Sequence, residues 1–261
     1  MNFNFKILPT SLLEVFLDKI TEQKLSEKYE LLQEAEISTD TFSFYTSVAS
    51  VYSSKIEGED IELDSFIKHK KFGVEFLPDY TKKIDDLYDA YSFAKQNKLS
   101  RQNIEKAHAI ICRHFIAQHQ LGKIRNQIMY VITPDGKIEY VAANPFEVEN
   151  ELKKLFADID YLLSTKLSTD EVFYFGAMIH LVFVKIHPFA DGNGRVARLL
   201  EKWFIASKLG ENAWFIQSEK YYYENHQLYY NNLRALGLEY EELDYSQSLQ
   251  FLYMLPQSLH L

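Results

Sequence analysis

The chain has 261 residues, 47% of them hydrophobic and 15% aromatic, which is enough apolar surface for a large core in one folded unit. A net charge of −9 argues against non-specific binding to nucleic acid or to an anionic membrane surface, and only nine glycines and six prolines argue against a disordered chain. The single cysteine, Cys112, excludes an internal disulfide, and the first residues lack a signal-peptide pattern, so we expect a cytoplasmic protein.

Apolar residues recur at helical spacing along most of the chain. Ser168 and Glu171 have the spacing of a capping box, which marks the start of one of the predicted helices. The period changes between Ile128 and Val141, where two β-prone runs flank a turn cluster at 133–136 and predict a hairpin. The predicted fold class is therefore all-α with one small β-hairpin. Helices are expected over 9–34, from an N-cap at 38–40 to Gly58, within 59–71, after Pro78 through 84–91, from an N-cap at Ser100 through 104–115, and over 145–163, 171–186, 195–208, near 221–236 and 243–255.

The most informative stretch is 187–198, which reads His-Pro-Phe-Ala-Asp-Gly-Asn-Gly-Arg-Val-Ala-Arg. An apolar run leads into it and a helical pattern resumes after it, so its polar residues fall on a loop and on the first turn of a helix. Backbone N–H groups of Gly192, Asn193 and Gly194 would point from that helix N-terminus towards an anion. Glycine lets a phosphate approach the backbone without meeting a Cβ. The pattern predicts a site for nucleotide phosphates.

The charged side chains of the same stretch suit phosphate chemistry. His187 has an imidazole that can take a proton near neutral pH. Asp191 offers the hard oxygen ligands that Mg²⁺ shares with nucleotide phosphates. Arg195 and Arg198 are three residues apart and hence on one helix face. One guanidinium group can donate two parallel hydrogen bonds to phosphate oxygens.

This stretch resembles the signature of the Fic family, His-x-Phe-x-Asp/Glu-Gly-Asn-Gly-Arg-x-x-Arg, at all eight specified positions. The resemblance implies transfer of AMP from ATP, with Mg²⁺, to a Ser, Thr or Tyr hydroxyl of a target protein, with His187 as general base. It covers about 42–238. We expect an N-terminal helical region (1–60), a Fic catalytic core (61–238) and a C-terminal helix packed on it (239–261), in one compact unit.

A second, shorter motif precedes the first by about 130 residues. Ser53-Ser54-Lys55-Ile56-Glu57-Gly58 resembles the inhibitory motif Ser/Thr-x-x-x-Glu-Gly/Asn of one Fic subclass. Ser53 and Glu57 share a helix face, and Gly58 supplies a helix stop. The resemblance implies that Glu57 pairs with Arg198, so that ATP binds only unproductively. We leave open whether Glu57 also serves in removing AMP from a modified target.

Two further segments resemble parts of Fic proteins. The hairpin resembles the flap on which an extended target segment pairs with an edge strand, here Ile128, Met129, Tyr130, Val131 and Ile132. The segment 225–230 resembles the one whose tyrosines, here Tyr229 and Tyr230, line the adenine pocket. His180, on the helix before the signature, is expected to be structural.

Three alternatives remain at this stage. A Doc-like phosphotransferase is disfavoured by the intact sequence from Gly192 to Arg195, and a non-catalytic binding module by the intact His187. Use of a nucleotide other than ATP stays open. The expected partners are ATP and a target protein, without nucleic acid or membrane, and a homodimer is left open.

Overall fold

The computed structural model describes residues 3–39, 42–76, 80–132 and 138–260. They form twelve α-helices and one two-stranded antiparallel sheet, so the predicted fold class is confirmed. Within the described residues, no helix is both long enough and apolar enough to span a bilayer. The helices are α1 Leu13–Ile20, α2 Leu25–Glu30, α3 Phe44–Ile56, α4 Leu63–Phe72, α5 Lys82–Gln96, α6 Arg101–Ile111, α7 Val148–Ser164, α8 Thr169–Ile186, α9 Asn193–Leu209, α10 Ser218–Glu224, α11 His226–Arg234 and α12 Leu249–Gln257.

Helix α8 is the centre of the fold. Every residue from Val172 to Ile186 is buried, as expected of a helix that is apolar on all sides. Its N-terminus carries the predicted capping box, in which Ser168 accepts from the Glu171 N–H and the Glu171 carboxylate accepts from the Ser168 N–H. Helix α9 packs along α8, and the loop between these two helices carries the signature residues.

Helix α3 brings the shorter motif to this loop. It packs against α5 and α10 and touches α9. Ser43 caps its N-terminus by accepting from the Thr46 N–H. At its C-terminus Gly58 adopts φ +89, and the Glu59 N–H donates to the Ser54 carbonyl, which ends the helix as the sequence predicted. Glu57 therefore lies at the C-terminal end of α3.

Several predicted boundaries were wrong. The first predicted helix breaks at Lys24, whose φ of +52 turns the chain so that Leu25 and Tyr29 reach the core. The segment near 221–236 splits at Asn225 into α10 and α11, and the last helix begins at Leu249 instead of 243. Helical periodicity persists through such breaks because the same apolar face is buried on both sides.

The hairpin consists of β1 (Tyr130–Ile132) and β2 (Ile138–Val141), with a register irregularity after Val131. Its predicted turn at 133–136 lies outside the described residues. The predicted strand over 128–132 is shorter than expected, since Ile128 and Met129 precede β1, although the Met129 carbonyl still accepts from the Ala142 N–H. The Val141 N–H donates to the Leu238 carbonyl, so the outer edge of β2 is covered and β1 is the edge strand.

Candidate active site

The loop between α8 and α9 is built by backbone conformation and one side chain. Helix α8 ends at His187, which adopts the left-handed φ of +53, and Gly192 (φ +76) precedes the start of α9. The Asn193 amide accepts from the Phe189 N–H and donates to the Phe189 carbonyl, both at 2.9 Å. Asn193 thus closes the loop with its side chain, a role that the sequence motif did not indicate.

The loop is anchored from below by His108 and Cys112, at the C-terminal end of α6. The His108 ring stacks on Phe189 with centroids 3.8 Å apart. Its Nδ1 accepts from the Gly122 N–H, so Nε2 carries the proton and donates to the Asp191 carbonyl at 3.0 Å. Burial lowers the pKa of His108 to about 4, which keeps the ring neutral. A Cβ on Gly192 would lie 2.5 Å from the Cys112 sulfur, so this position requires glycine.

His187 is partly exposed and faces the site from the end of α8. Its Nδ1 lies 3.0 Å from the Tyr140 hydroxyl and 3.3 Å from the Val184 carbonyl oxygen. Burial lowers the pKa of His187 to about 4, against the opposing effects of the Val184 carbonyl and the Glu57 carboxylate. The imidazole is therefore neutral at physiological pH and can accept a proton.

Arg195 and Asp191 lie side by side on the open face of the loop. The Arg195 guanidinium lies 4.0 Å above the Phe115 ring and 3.6 Å from an Asp191 oxygen. Among the described residues, the buried Nε of Arg195 has no hydrogen-bond partner. The Asp191 side chain is 55% exposed and accepts from the Gly192 N–H. An unsatisfied buried donor beside an exposed carboxylate suits a phosphate with a bound divalent cation.

Arg198 is buried and is held by the shorter motif. Its Nε donates to the Ser53 hydroxyl at 2.8 Å, and one terminal nitrogen donates to the Ser53 carbonyl at 3.0 Å and to the Glu57 carboxylate at 2.6 Å. Burial raises the pKa of Glu57, but the charges of Arg198 and Arg195 outweigh this effect and hold it below its usual value. The carboxylate is ionised, and its side chain is still 27% exposed, so solvent reaches the ion pair from the Glu57 side.

The Glu57 carboxylate also reaches the glycine turn. A Cβ on Gly194 would lie 2.6 Å from a Glu57 oxygen and 3.2 Å from Arg198. The carboxylate therefore lies against the N-terminus of α9, where the sequence predicted an anion. The structure brings together Ser53, Glu57, Gly194 and Arg198, with His187 close enough for the Glu57 charge to affect its pKa.

The two tyrosines of the predicted adenine pocket differ. Tyr229 is 2% exposed and packs on Tyr222, so its ring offers no free face to a base. Its hydroxyl donates to His180 Nε2 at 3.0 Å, because Nδ1 of that histidine donates to the Glu201 carboxylate. The role of Tyr229 in an adenine pocket stays a prediction, which the burial of its ring disfavours. Tyr230 is half-buried beside it and remains a prediction.

Arg125 joins the flap to the loop. Its guanidinium donates to the carbonyls of Gln127, Ala143 and His187, each at 2.6 Å, and its backbone N–H donates to the Pro188 carbonyl. On the flap itself, Tyr130 and Ile132 of β1 are exposed and Val131 is half-buried. The roles of Tyr140, His108 and Arg125 were not predictable from the sequence, because nothing in their local pattern distinguishes them from ordinary core or flap residues.

Comparison with known proteins agrees with this arrangement. Residues 98–205 match the Fic/DOC family model. No curated protein sequence matches the chain. Similar solved structures include a Fic family protein of Desulfovibrio desulfuricans G20 (TM-score 0.76, 17% identity, 99% of this chain and 76% of that chain covered) and a Fic-domain signalling protein of Bacteroides thetaiotaomicron (0.68, 19%, 91% and 93%). Fic-1 of C. elegans is a third (0.63, 18%, 95% and 71%). The chain thus has the fold of these Fic proteins, and its residues 98–205 are similar to the Fic/DOC family.

Proposed function

We propose that the protein is an adenylyltransferase that moves AMP from ATP to a hydroxyl side chain of a target protein and is inhibited by its own Glu57. The observation that carries this proposal is the Glu57 carboxylate, which lies on Arg198 and against Gly194, beside His187. A carboxylate held by a guanidinium at a helix N-terminus supports an anion site at this place. Fic domains are generally transferases, which supports the same reading.

The residues around the Glu57–Arg198 ion pair fit a nucleotide with a divalent cation. The buried Nε of Arg195 has no hydrogen-bond partner in the part of the chain that the structure describes, and Arg198 would become available to a phosphate once Glu57 leaves. Asp191 would hold Mg²⁺ through its exposed carboxylate, with phosphate oxygens as the other ligands. Bound Mg²⁺ would neutralise phosphate charge. The backbone N–H groups at 192–194 and Tyr230 would complete the contacts with ATP.

In the proposed reaction, His187 accepts the proton of the target hydroxyl. The hydroxyl oxygen then forms a bond to the α-phosphorus of ATP, while the bond from that phosphorus to the bridging oxygen of the β-phosphate breaks and pyrophosphate leaves. The neutral state of His187 supports its role as base. The target segment would pair with β1 and the two residues before it, from Ile128 to Ile132, on the side away from β2.

The proposed inhibition follows from charge. Ionised Glu57 uses a hydrogen-bonding position of Arg198 that a phosphate would need, and it repels the phosphate chain. ATP then binds weakly or with its α-phosphate away from His187. Removing the carboxylate should release both effects.

The test compares label from [α-³²P]ATP and from [γ-³²P]ATP, with Mg²⁺, in purified wild type, Glu57→Gly and the double variant Glu57→Gly/His187→Ala. Glu62→Gly is the matched control, because Glu62 is exposed, pairs with Lys55 at 3.3 Å and stands at a helix N-cap, where glycine is tolerated. We expect α-label on protein with Glu57→Gly, little with wild type or the control, and none with the double variant. Label from γ-³²P alone would establish a phosphotransferase, and no label with folded, ATP-bound Glu57→Gly would reject the transferase activity.

A further inference from the structure

Tyr140, on the second strand of the flap, reaches the imidazole of His187. Its hydroxyl oxygen lies 3.0 Å from His187 Nδ1 and 3.0 Å from the Val184 carbonyl oxygen. Nδ1 is also 3.3 Å from the same carbonyl. The three polar atoms form a closed triangle, and Tyr140 is 4% exposed, so bulk water has little access to its side chain.

The positions of the protons follow from what each atom can do. The Val184 carbonyl can only accept, whereas the tyrosine hydroxyl has one proton to donate. If Nδ1 were bare, its lone pair would face the carbonyl oxygen, and the hydroxyl could donate to only one of the two acceptors. With the proton on Nδ1, the imidazole donates to the hydroxyl oxygen and the hydroxyl donates to Val184. All three groups are then satisfied, and Nε2 keeps its lone pair.

We propose that Tyr140 is a positioning residue that holds the proton of His187 on Nδ1 and aims a bare Nε2 at the target hydroxyl. The catalytic meaning of Nε2 rests on the proposed function, but the tautomer does not. Tyr140 makes no contact with the reacting atoms and acts through His187.

Two neighbours fix Tyr140 itself. The ammonium of Lys185 lies 4.1 Å above the Tyr140 ring, and the Tyr140 backbone pairs with Val131 of β1. Arg125 ties the base of the same hairpin to the His187 carbonyl. The flap that would dock the target and the base that would deprotonate it are therefore joined by two side chains, which couples target position to the orientation of the imidazole.

The first test is the tautomer, read from ¹⁵N chemical shifts of labelled histidine at pH 7 in the full chain. His187→Ala identifies the His187 signal. We expect the Nδ1–H form in wild type and a larger Nε2–H fraction in Tyr140→Phe, because only the longer 3.3 Å contact with the Val184 carbonyl then holds the proton on Nδ1. This variant keeps the ring over Lys185 and deletes only the hydroxyl. Tyr174→Phe is the control, since it removes another buried hydroxyl, bonded to the Pro9 carbonyl, away from the site. A wild-type His187 protonated on Nε2, or a tautomer that Tyr140→Phe leaves unchanged, would overturn the proposal.

The second test is kinetic and uses the Glu57→Gly background. Tyr140→Phe should lower kcat about tenfold or more and leave the KM for ATP unchanged. The loss should stay below the ~100- to 10,000-fold that a general base contributes, because His187 itself remains. Tyr174→Phe should change neither constant. If Tyr140→Phe in the Glu57→Gly background has the same kcat as Glu57→Gly alone, the positioning role is rejected. If Glu57→Gly shows no AMP transfer at all, the proposed function fails, while the tautomer measurement still decides the inference on Tyr140.

Discussion

The Glu57 carboxylate and the Arg198 guanidinium lie 2.6 Å apart although 141 residues separate them in the chain. Arg198 is 1% exposed, whereas the Glu57 side chain is 27% exposed, so the fixed partner is the arginine. An anion that displaced the Glu57 carboxylate would bind the buried Arg198 guanidinium in its place. In the proposed inhibition, the Glu57 carboxylate blocks the anion site, and its removal should leave Arg198 in position.

Ser53→Ala should weaken the proposed inhibition. The substitution deletes the acceptor of Arg198 Nε, leaves a buried charged donor unsatisfied at a cost of about 1–3 kcal/mol, and loosens the arginine that holds Glu57. We expect self-labelling from [α-³²P]ATP between that of wild type and Glu57→Gly. Ser54→Ala is the control, because in the described part of the chain the buried Ser54 hydroxyl has no hydrogen-bond partner. Equal labelling by the two serine variants would contradict the prediction.

Gly194→Ala should destabilise the protein through Glu57. Its Cβ would lie 2.6 Å from the Glu57 carboxylate, an overpacking that costs about 1–3 kcal/mol. In the Glu57→Gly background only the 3.2 Å approach to Arg198 remains, so the loss of Tm caused by Gly194→Ala should shrink. Thermal unfolding of the four proteins in this double-mutant cycle measures the coupling, expected at about 0.5–3 kcal/mol. Additive Tm changes would show that the carboxylate does not lie against Gly194.

The pH dependence of AMP transfer should report a neutral His187. Its pKa is lowered to about 4 by burial, and loss of the Glu57 charge removes an effect that raises this pKa. Because the base is active when unprotonated, kcat/KM of Glu57→Gly should stay level from pH 8 to about pH 5 and fall only near pH 4 or below. Circular dichroism at each pH checks that the protein remains folded. An acid limb centred near 6.5, the ordinary value for histidine, would contradict the burial of this imidazole.

Tyr229 and Tyr230 should separate stability from nucleotide binding. Tyr229→Phe keeps the buried ring but removes a hydroxyl that bonds His180 and lies beside Arg198, so the free energy of unfolding should fall by about 1–3 kcal/mol. ATP affinity in the Glu57→Gly background should change by no more than twofold to threefold, because Ser53 still holds the Arg198 guanidinium in place. Tyr230→Ala should instead lower ATP affinity about tenfold through loss of a stacking surface. Chemical denaturation and isothermal titration calorimetry measure the two effects. A loss of ATP affinity in Tyr229→Phe but not in Tyr230→Ala would indicate that Tyr229, and not Tyr230, lines the adenine pocket.

Local sequence determined much of this protein. Periodicity predicted most helices, the spacing of Ser168 and Glu171 predicted a capping box, and a change of period located the hairpin. The loop residues from His187 to Gly194 could be grouped in advance because they are contiguous, so a short helix–loop–helix geometry brings them together. Gly58 was predicted as a helix end from its freedom to adopt positive φ.

Tertiary packing decided the rest. Periodicity identifies which face of a helix is buried but not which helix covers it, so the break at Lys24 and the burial of Tyr229 were not predictable. Tyr140 meets His187 because the hairpin folds back onto the end of α8, and His108 meets Asp191 because α6 lies beneath the loop. The position of Glu57 relative to Arg198 was expected only by resemblance; its distances depend on how α3 packs against α9. Such contacts join residues far apart in sequence, and their geometry is fixed only when the whole core is packed.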